Sequence, residues 1–401
     1  MKRLLVFTEN YVRGGGNRYM IDLVNAVVNH YDELHFASNV GGIFPDDKDR
    51  LDKPAVFHHF FFISRARINR LLRFLPKAIQ RIILFPFVIL EPVFLIFNVF
   101  FFILKIKKIK PSCVLSCNGG YPAAQASLAM VLAARVMHIP VVLSIVSMPT
   151  PRKIYSLLYE KILDYLVWSS VDIVVVNANI IVQALNDKRG MPIALSRVVY
   201  NGLKDNKLAN VPRRDSKETF VIGCLARMDV SKGVLHLFDA FAELAKTRPQ
   251  LRLVLAGEGD ASGQLQYQID SLGLQGQIQL LGHYSGDVSA LLDTFDIYVL
   301  PSLWEGLPYS IIESMRSACV IVATRVGGIP EAITDGKEGL LISPGSTSEI
   351  VSAIERLMAD PEMCRSLANN ARLKYENELS LQKMHCRARE VLGVQLQQLM
   401  S

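Results

Sequence analysis

The chain has 401 residues, half of them hydrophobic and a fifth charged, with a formal net charge of +7 and a pI near 9.0. That length suits two or three domains with sizeable cores, and the composition excludes a disordered chain. The six cysteines, at 113, 117, 224, 319, 364 and 386, form no C-x-x-C pair and have no histidine cluster beside them. This argues against a structural zinc site and for reduced core thiols.

The N-terminus, MKRLLVFTEN, has too short an apolar stretch for a signal peptide, and polar residues follow at once. It reads as a first buried strand, which places the chain's sites in the cytoplasm. Buried parallel strands are short apolar runs bounded by turn signals. After RLLVFT the first half offers LHFAS, VFHHF, CVLSC, VVLSIV and DIVVVN, with helical patterns over Tyr19 to Asn29 and Ala123 to Met137. Between strand and helix lies a glycine tract, Gly14, Gly15 and Gly16. It is not G-x-G-x-x-G, so a nicotinamide cofactor is disfavoured. A mobile cover over phosphate or sugar fits it, and a plain turn fits it too.

Residues 82–104, IILFPFVILEPVFLIFNVFFFIL, are long enough to span a bilayer. Pro86, Pro92, Glu91 and Asn98 interrupt them, and a single crossing would divide the strands of one domain between two compartments. Cations flank both ends, from Arg65 to Arg81 and from Lys105 to Lys110. An apolar insert at about 79–106 that lies on or dips into one anionic leaflet is expected; an apolar helical pair packed inside the domain is the alternative. The cations have no reader helix or aromatic-interleaved sheet beside them, so no nucleic acid is expected.

A polar, aperiodic stretch at 204–218 divides the chain. Beyond it, FVIGCLA, LRLVLAG, IQLLG, IYVLP and VIVAT alternate with helical patterns near 234–247, 262–272, 287–293, 309–317 and 346–372. Alternation of this kind in both halves predicts an α/β chain of two doubly wound, Rossmann-like domains, with ligands at the carboxyl ends of the strands.

Three strand ends of the second half carry ligand-type residues. After FVIGCLA come Arg227 and Lys232, at the entry to a helix. Free N–H groups, a helix amino end and two cations make a diphosphate site, unless the two are merely solvated surface charges. After IYVLP comes Glu305-Gly306-Leu307, with Glu313 eight residues on. On a continuous helix those carboxylates would stand roughly 12 Å apart along the axis, too far for an acid/base pair, which needs roughly 5–10 Å. They fit two grips on one long ligand, Glu305 at a sugar and Glu313 at ribose hydroxyls. After VIVAT, Gly327 and Gly328 let backbone approach a ligand.

Together these motifs resemble the retaining glycosyltransferases of family 4, which have the GT-B fold of two domains facing across a cleft. The resemblance covers nearly the whole chain and is most specific over 220–345. It rests on Gly223 to Gly233, on Glu305 with Glu313, on Ala323 to Glu331, and on the Asn201-Gly202 turn. It implies an acceptor-binding domain over 1–203, a nucleotide-sugar domain over 219–378, and a last helix, 379–401, crossing back to the first. By it, Glu305, Arg227 and Lys232 are the catalytic residues. Arg227 and Lys232 bind the donor diphosphate, Gly306, Leu307 and Glu313 complete the donor site, and Gly14 to Gly16 cover it. The donor is a UDP- or GDP-sugar, with no metal and no other cofactor. The acceptor is a glycan or lipid-linked glycan of a bacterial surface polysaccharide, met at the inner face of the plasma membrane. Two departures stand out. Many members carry a histidine where this chain has Val146 and Ser147, and a glycine where it has Pro308. The first leaves open a non-catalytic nucleotide-sugar-binding module; an epimerase of similar fold is a further alternative, which the shortage of histidines in the cleft disfavours.

Overall fold

The computed structural model describes residues 1–9, 11, 14–40, 49–72, 74–205 and 219–393, with only the backbone of Ala66, Lys77, Ala78 and Arg81. The expected divider therefore lies largely outside the described residues. Two compact units result: Met1–Tyr200 with Met384–Ser401, and Asn201–Lys383.

In the first unit seven strands form one sheet. They are β1 (Arg3–Thr8), β2 (Glu33–Asn39), β3 (Ala55–Phe60), β4 (Cys113–Gly120), β5 (Val141–Ser147), β6 (Ile173–Val176) and β7 (Ser196–Val198). Their order is β3-β2-β1-β4-β5-β6-β7. Every neighbouring pair is parallel, so Val6 lies opposite both Phe36 and Leu115. Helices cover such a sheet, which is why Leu4 to Phe7 is an unbroken buried run rather than an alternating one. The second unit repeats the scheme with β8 (Phe220–Leu225), β9 (Leu251–Ala256), β10 (Ile278–Gly282), β11 (Ile297–Leu300), β12 (Val320–Thr324) and β13 (Leu340–Ile342). Their order is β10-β9-β8-β11-β12-β13. Ile222, Leu253, Val299 and Val322 of this sheet pack with Leu237, Phe241 and Ile354 from its helices. The strand order reverses between β1 and β4 in one sheet and between β8 and β11 in the other. In doubly wound sheets those reversals are where ligands bind.

Several boundaries differ from the sequence reading. The single helix expected over 346–372 is two, Thr347–Ala359 and Pro361–Lys374. Pro361 forces Asp360 out of helical geometry, and the Asp360 carboxylate caps the second helix at the Met363 N–H. Among the described residues the last regular helix is Leu381–Ala388, followed by a wider turn, Arg389–Gly393; the rest of the expected helix lies outside the described residues. Asn201 to Leu203 group with the second unit. The Leu203 N–H donates to the Leu379 carbonyl (3.1 Å), and the Tyr375 hydroxyl donates to the Leu203 carbonyl (3.0 Å).

The apolar insert is a helical pair, Lys77–Ile89 and Glu91–Ile109, bent by 61° at the break. Pro92 favours the break, because it has no N–H to continue the hydrogen-bond ladder back to Val88 and is at home in the first turn of a new helix. No single helix among the described residues is long and apolar enough to cross a membrane. The longer helix buries Glu91, Leu95, Asn98, Phe102, Ile106 and Ile109, a stripe at helical spacing. Its polar members are matched within the unit. Glu91 pairs with Arg65 (2.9 Å), while Asn98 exchanges hydrogen bonds with the backbone of Ile63 (2.7 and 3.2 Å). The opposite face is apolar and exposed: Val93, Ile96, Phe97, Phe100 and Leu104, with Ile96 70% and Phe100 63% accessible. The helix is thus largely apolar on both faces, and one of them lies on the surface of the unit.

Elsewhere in this unit the Arg189 guanidinium is buried at 1% exposure between Glu160 (2.6 Å) and Asp164 (3.6 Å), and it also donates to the Thr150 carbonyl. Arg152 and the Tyr121 hydroxyl complete the bonds to Asp164. Arg189→Ala leaves two buried carboxylates short of a cation, and is expected to destabilise the fold by about 3–5 kcal/mol in urea unfolding. All six cysteines are free, and burial pushes the thiols of Cys113 and Cys224 up to about 12, so both are inert.

Candidate active site

The loops after β8, β9, β11 and β12 meet at the carboxyl edge of the second sheet, at its order reversal. After β8 the chain passes through a short turn, Val230–Lys232, and enters the helix Val234–Ala245 through Gly233, whose φ is +64°. A side chain at Gly233 would sit 1.9 Å from the Pro301 carbonyl oxygen, so the β8 and β11 loops touch backbone to backbone. The Leu303 N–H donates to the Ser231 carbonyl (2.8 Å) across the same seam.

That contact brings together charges that are remote in sequence. Lys232 Nζ donates to Glu305 Oε1 at 2.6 Å, and Ser302 Oγ donates to the same oxygen at 2.8 Å. The Lys232 and Glu305 side chains are only 17% and 9% exposed. No hydrogen bond from a described residue reaches Glu305 Oε2. Around them the β11 loop is pinned on several sides. Thr324 Oγ1 donates to the Ser302 carbonyl (2.6 Å), the Gly328 N–H to the Gly306 carbonyl (2.7 Å), and Asn201 Nδ2 to the Leu307 carbonyl (2.6 Å). A rigid frame of this kind holds charged groups ready for a ligand without reorganisation.

The remaining residues singled out in the sequence fall as follows. Arg227 lies on the same loop but is 58% exposed and pairs with Asp229 at 2.8 Å. Gly306 and Leu307 are buried in the β11 loop. Glu313 is half-buried within the helix Tyr309–Arg316. Because Glu305 precedes that helix, the separation computed for one continuous helix does not apply. Glu305 and Glu313 both act on the Tyr298 hydroxyl: burial first, then Cys224 and these two carboxylates, pushes its pKa well up. Gly327 has a structural requirement of its own. With φ at +53°, Gly327 backs onto the Glu305 carbonyl, which a side chain would approach to 2.2 Å. Its glycine is thus required by the loop itself.

In the first unit Gly14 is extended and precedes the helix Gly15–Val27, so Gly15 and Gly16 form its first turn rather than a free loop. All three are exposed; among the described residues no side chain caps the helix, and the Asn17 N–H donates to the Gly14 carbonyl (3.1 Å). Val146 lies beside them, 3.4 Å from where a Gly16 side chain would begin.

One feature of the second unit escaped the sequence reading. Met228, Gly257, Glu258, Gly259 and Ser262 line a cavity of about 460 Å³ beside the Arg227 loop. Gly257 and Gly259 pass so close to the carbonyls of Ala226 and Met228 that no side chain fits at either. The G-x-G at the end of β9 was the available signal.

Similarity to known proteins is concentrated in the second unit. Residues 207–374 match the family model Glycosyl transferases group 1. That segment is similar to group 1 glycosyl transferase domains. Over 148 residues the chain is 33% identical to the alpha-D-kanosaminyltransferase of Streptomyces kanamyceticus, covering 37% of this chain and 38% of that enzyme. Over 204 residues it is 26% identical to the UDP-Gal:alpha-D-GlcNAc-diphosphoundecaprenol alpha-1,3-galactosyltransferase of Escherichia coli, covering 48% and 52%. The chain thus spans about half, or less, of the length of these relatives. Its fold is that of GT-B glycosyltransferases. The crystal structure of Anabaena HepE in complex with UDP superposes with a TM-score of 0.75 at 19% identity, over 98% of this chain and all of that one. The likeness therefore extends through the first unit, beyond the group 1 domain.

Proposed function

We propose that the protein is a retaining glycosyltransferase. It moves a hexose-type sugar from a UDP- or GDP-sugar to a lipid-linked oligosaccharide at the inner face of a bacterial membrane, in surface polysaccharide synthesis. The observation that carries this reading is the Lys232–Glu305 pair, buried at the order reversal of the group 1 domain. In this reading the donor diphosphate enters beside Lys232, Arg227 and the amino end of the helix Val234–Ala245. Lys232 and Arg227 stabilise the negative charge that grows on the phosphate as its bond to the sugar breaks. Glu305 turns Oε2 toward the sugar hydroxyls, and Glu313 takes the ribose. The cavity at Met228 and Gly257–Gly259 takes the base. The acceptor oxygen bonds to the anomeric carbon on the face the phosphate leaves, and the departing phosphate receives the acceptor's proton. No metal is required in this scheme. UDP in the Anabaena structure supports trying uridine donors first.

The outward apolar face of the helix Glu91–Ile109, with Lys105, Lys107, Lys108 and Lys110 at its end, supports seating on an anionic leaflet. The diphosphoundecaprenol in the Escherichia coli relative's name supports a lipid-linked acceptor. The function is tested by nucleoside-diphosphate release over UDP- and GDP-sugars, with and without membrane lipid extract. Acceptor-dependent release is expected. Turnover of the donor alone into a new sugar indicates an epimerase, and binding without release a non-catalytic module. For the membrane, Phe97→Glu with Phe100→Glu is expected to lower flotation with phosphatidylglycerol vesicles at least about tenfold, since each charge is costly in the apolar layer. Wild-type protein that ignores such vesicles refutes the seating.

A further inference from the structure

We propose that a second cavity, at the carboxyl end of β1, binds one pyranose ring of the acceptor glycan, with Glu9 as the residue that recognises its hydroxyls. The proposal rests on the transferase reading above for the word acceptor, but its observations belong to the first unit alone. The cavity measures about 260 Å³ and lies beside the β1–β4 order reversal, with Glu9 following β1 and Ala123 and Gln125 following β4. Ligands are expected there in a doubly wound sheet. It is smaller than the roughly 300–1,000 Å³ of pockets for drug-sized ligands, which suits a single ring.

Glu9 is the decisive group. Although the residue keeps some exposed surface, both its carboxyl oxygens are buried, and neither receives a well-formed hydrogen bond from a described residue. Ser64 and the backbone of Ala126 favour the charged form, yet burial outweighs them and pushes the carboxyl's pKa up. Buried polar atoms in native proteins almost always have partners, and an orphaned one calls for a ligand or another explanation. A carboxyl accepts from sugar hydroxyls in either protonation state, and when protonated it donates as well.

The walls select against a phosphate. Arg65, the guanidinium of this cavity, is committed to Glu91 at 2.9 Å. Glu91 in turn accepts from Gln125 (3.2 Å), whose own oxygen accepts from the Tyr159 hydroxyl (2.8 Å). An anion entering would meet two carboxyl groups and one cation already paired. Asn69 adds a further amide, while Leu84, Phe94 and Leu95 make an apolar side. An uncharged ring with polar edges and apolar faces matches that division. Phe94 and Leu95 belong to the same helix as the exposed apolar face, so the ring of a lipid-borne acceptor would arrive along it.

The test uses the full-length protein and saturation-transfer NMR with the methyl glycosides of glucose, galactose, mannose and N-acetylglucosamine. UDP and GDP binding is measured on the same samples. Saturable binding of at least one glycoside is expected. Glu9→Leu should weaken it at least tenfold, Glu9→Gln should stay within about threefold, and UDP or GDP affinity should not move in either. Asn69→Ala, at an exposed position of the same wall, should also weaken glycoside binding and guards against misfolding of the leucine variant. If no glycoside binds, or if Glu9→Leu binds as wild type does, the pocket assignment is overturned while nucleotide binding stands. If glycosides bind and neither nucleotide does, the donor reading fails and the pocket stands.

Discussion

Replacing Lys232 by alanine is expected to lower nucleoside-diphosphate release at least about a hundredfold, the scale of a lost charge-stabilising donor. Two effects combine. The ammonium that would face the leaving phosphate is gone, and the Glu305 carboxylate, 9% exposed, keeps only Ser302 as a hydrogen-bond donor. A purely structural ion pair would show the second effect alone. Lys232→Met combined with Glu305→Gln separates the two, because removing both partners of a buried pair together can be nearly neutral for stability. The transfer reading expects that double variant to fold with near wild-type unfolding temperature and to remain inactive. Restored turnover in the double variant would refute catalytic roles for both residues. Arg227→Ala is expected to act in the same direction but less, since its guanidinium is 58% exposed and shares its charge with Asp229.

Why the pair could not be read from the sequence follows from strand order. Lys232 and Glu305 are 73 residues apart, and they meet because β8 lies beside β11 rather than beside β10. Apolar runs reveal that strands exist, but not which are neighbours, since a fully buried parallel strand has no face to match. The same runs made most strands legible; β7 and β13, three residues each, were too short to stand out. Glu91 and Asn98 counted against the apolar insert as interruptions. Their spacing with Leu95 and Phe102 already placed them on one stripe, and the structure shows that stripe turned inward. Glu9 was passed over because a carboxylate just after a strand is ordinarily solvated. Only the fold shows that β4's loop and the helical pair enclose it.

Gly233→Ala should be strongly damaging, in both unfolding temperature and turnover. Forcing an L-residue into the left-handed region costs about 1–2 kcal/mol in itself. The new methyl would also stand 1.9 Å from the Pro301 carbonyl oxygen, a backbone atom that cannot rotate away. Relief requires the β8 and β11 loops to part. That movement draws Lys232 off Glu305 and breaks the Leu303-to-Ser231 hydrogen bond at 2.8 Å. Turnover should fall at least about tenfold beyond any loss of folded protein, since small misplacements of positioned charges are costly in rate. The control is Gly276→Ala, where an added methyl meets nothing within 4 Å. It should change stability by no more than about 0.5 kcal/mol and leave turnover intact. If Gly233→Ala lowers stability while the remaining folded enzyme works at the wild-type rate, the seam between the loops only supports the fold, and the pair it holds is not the catalytic centre.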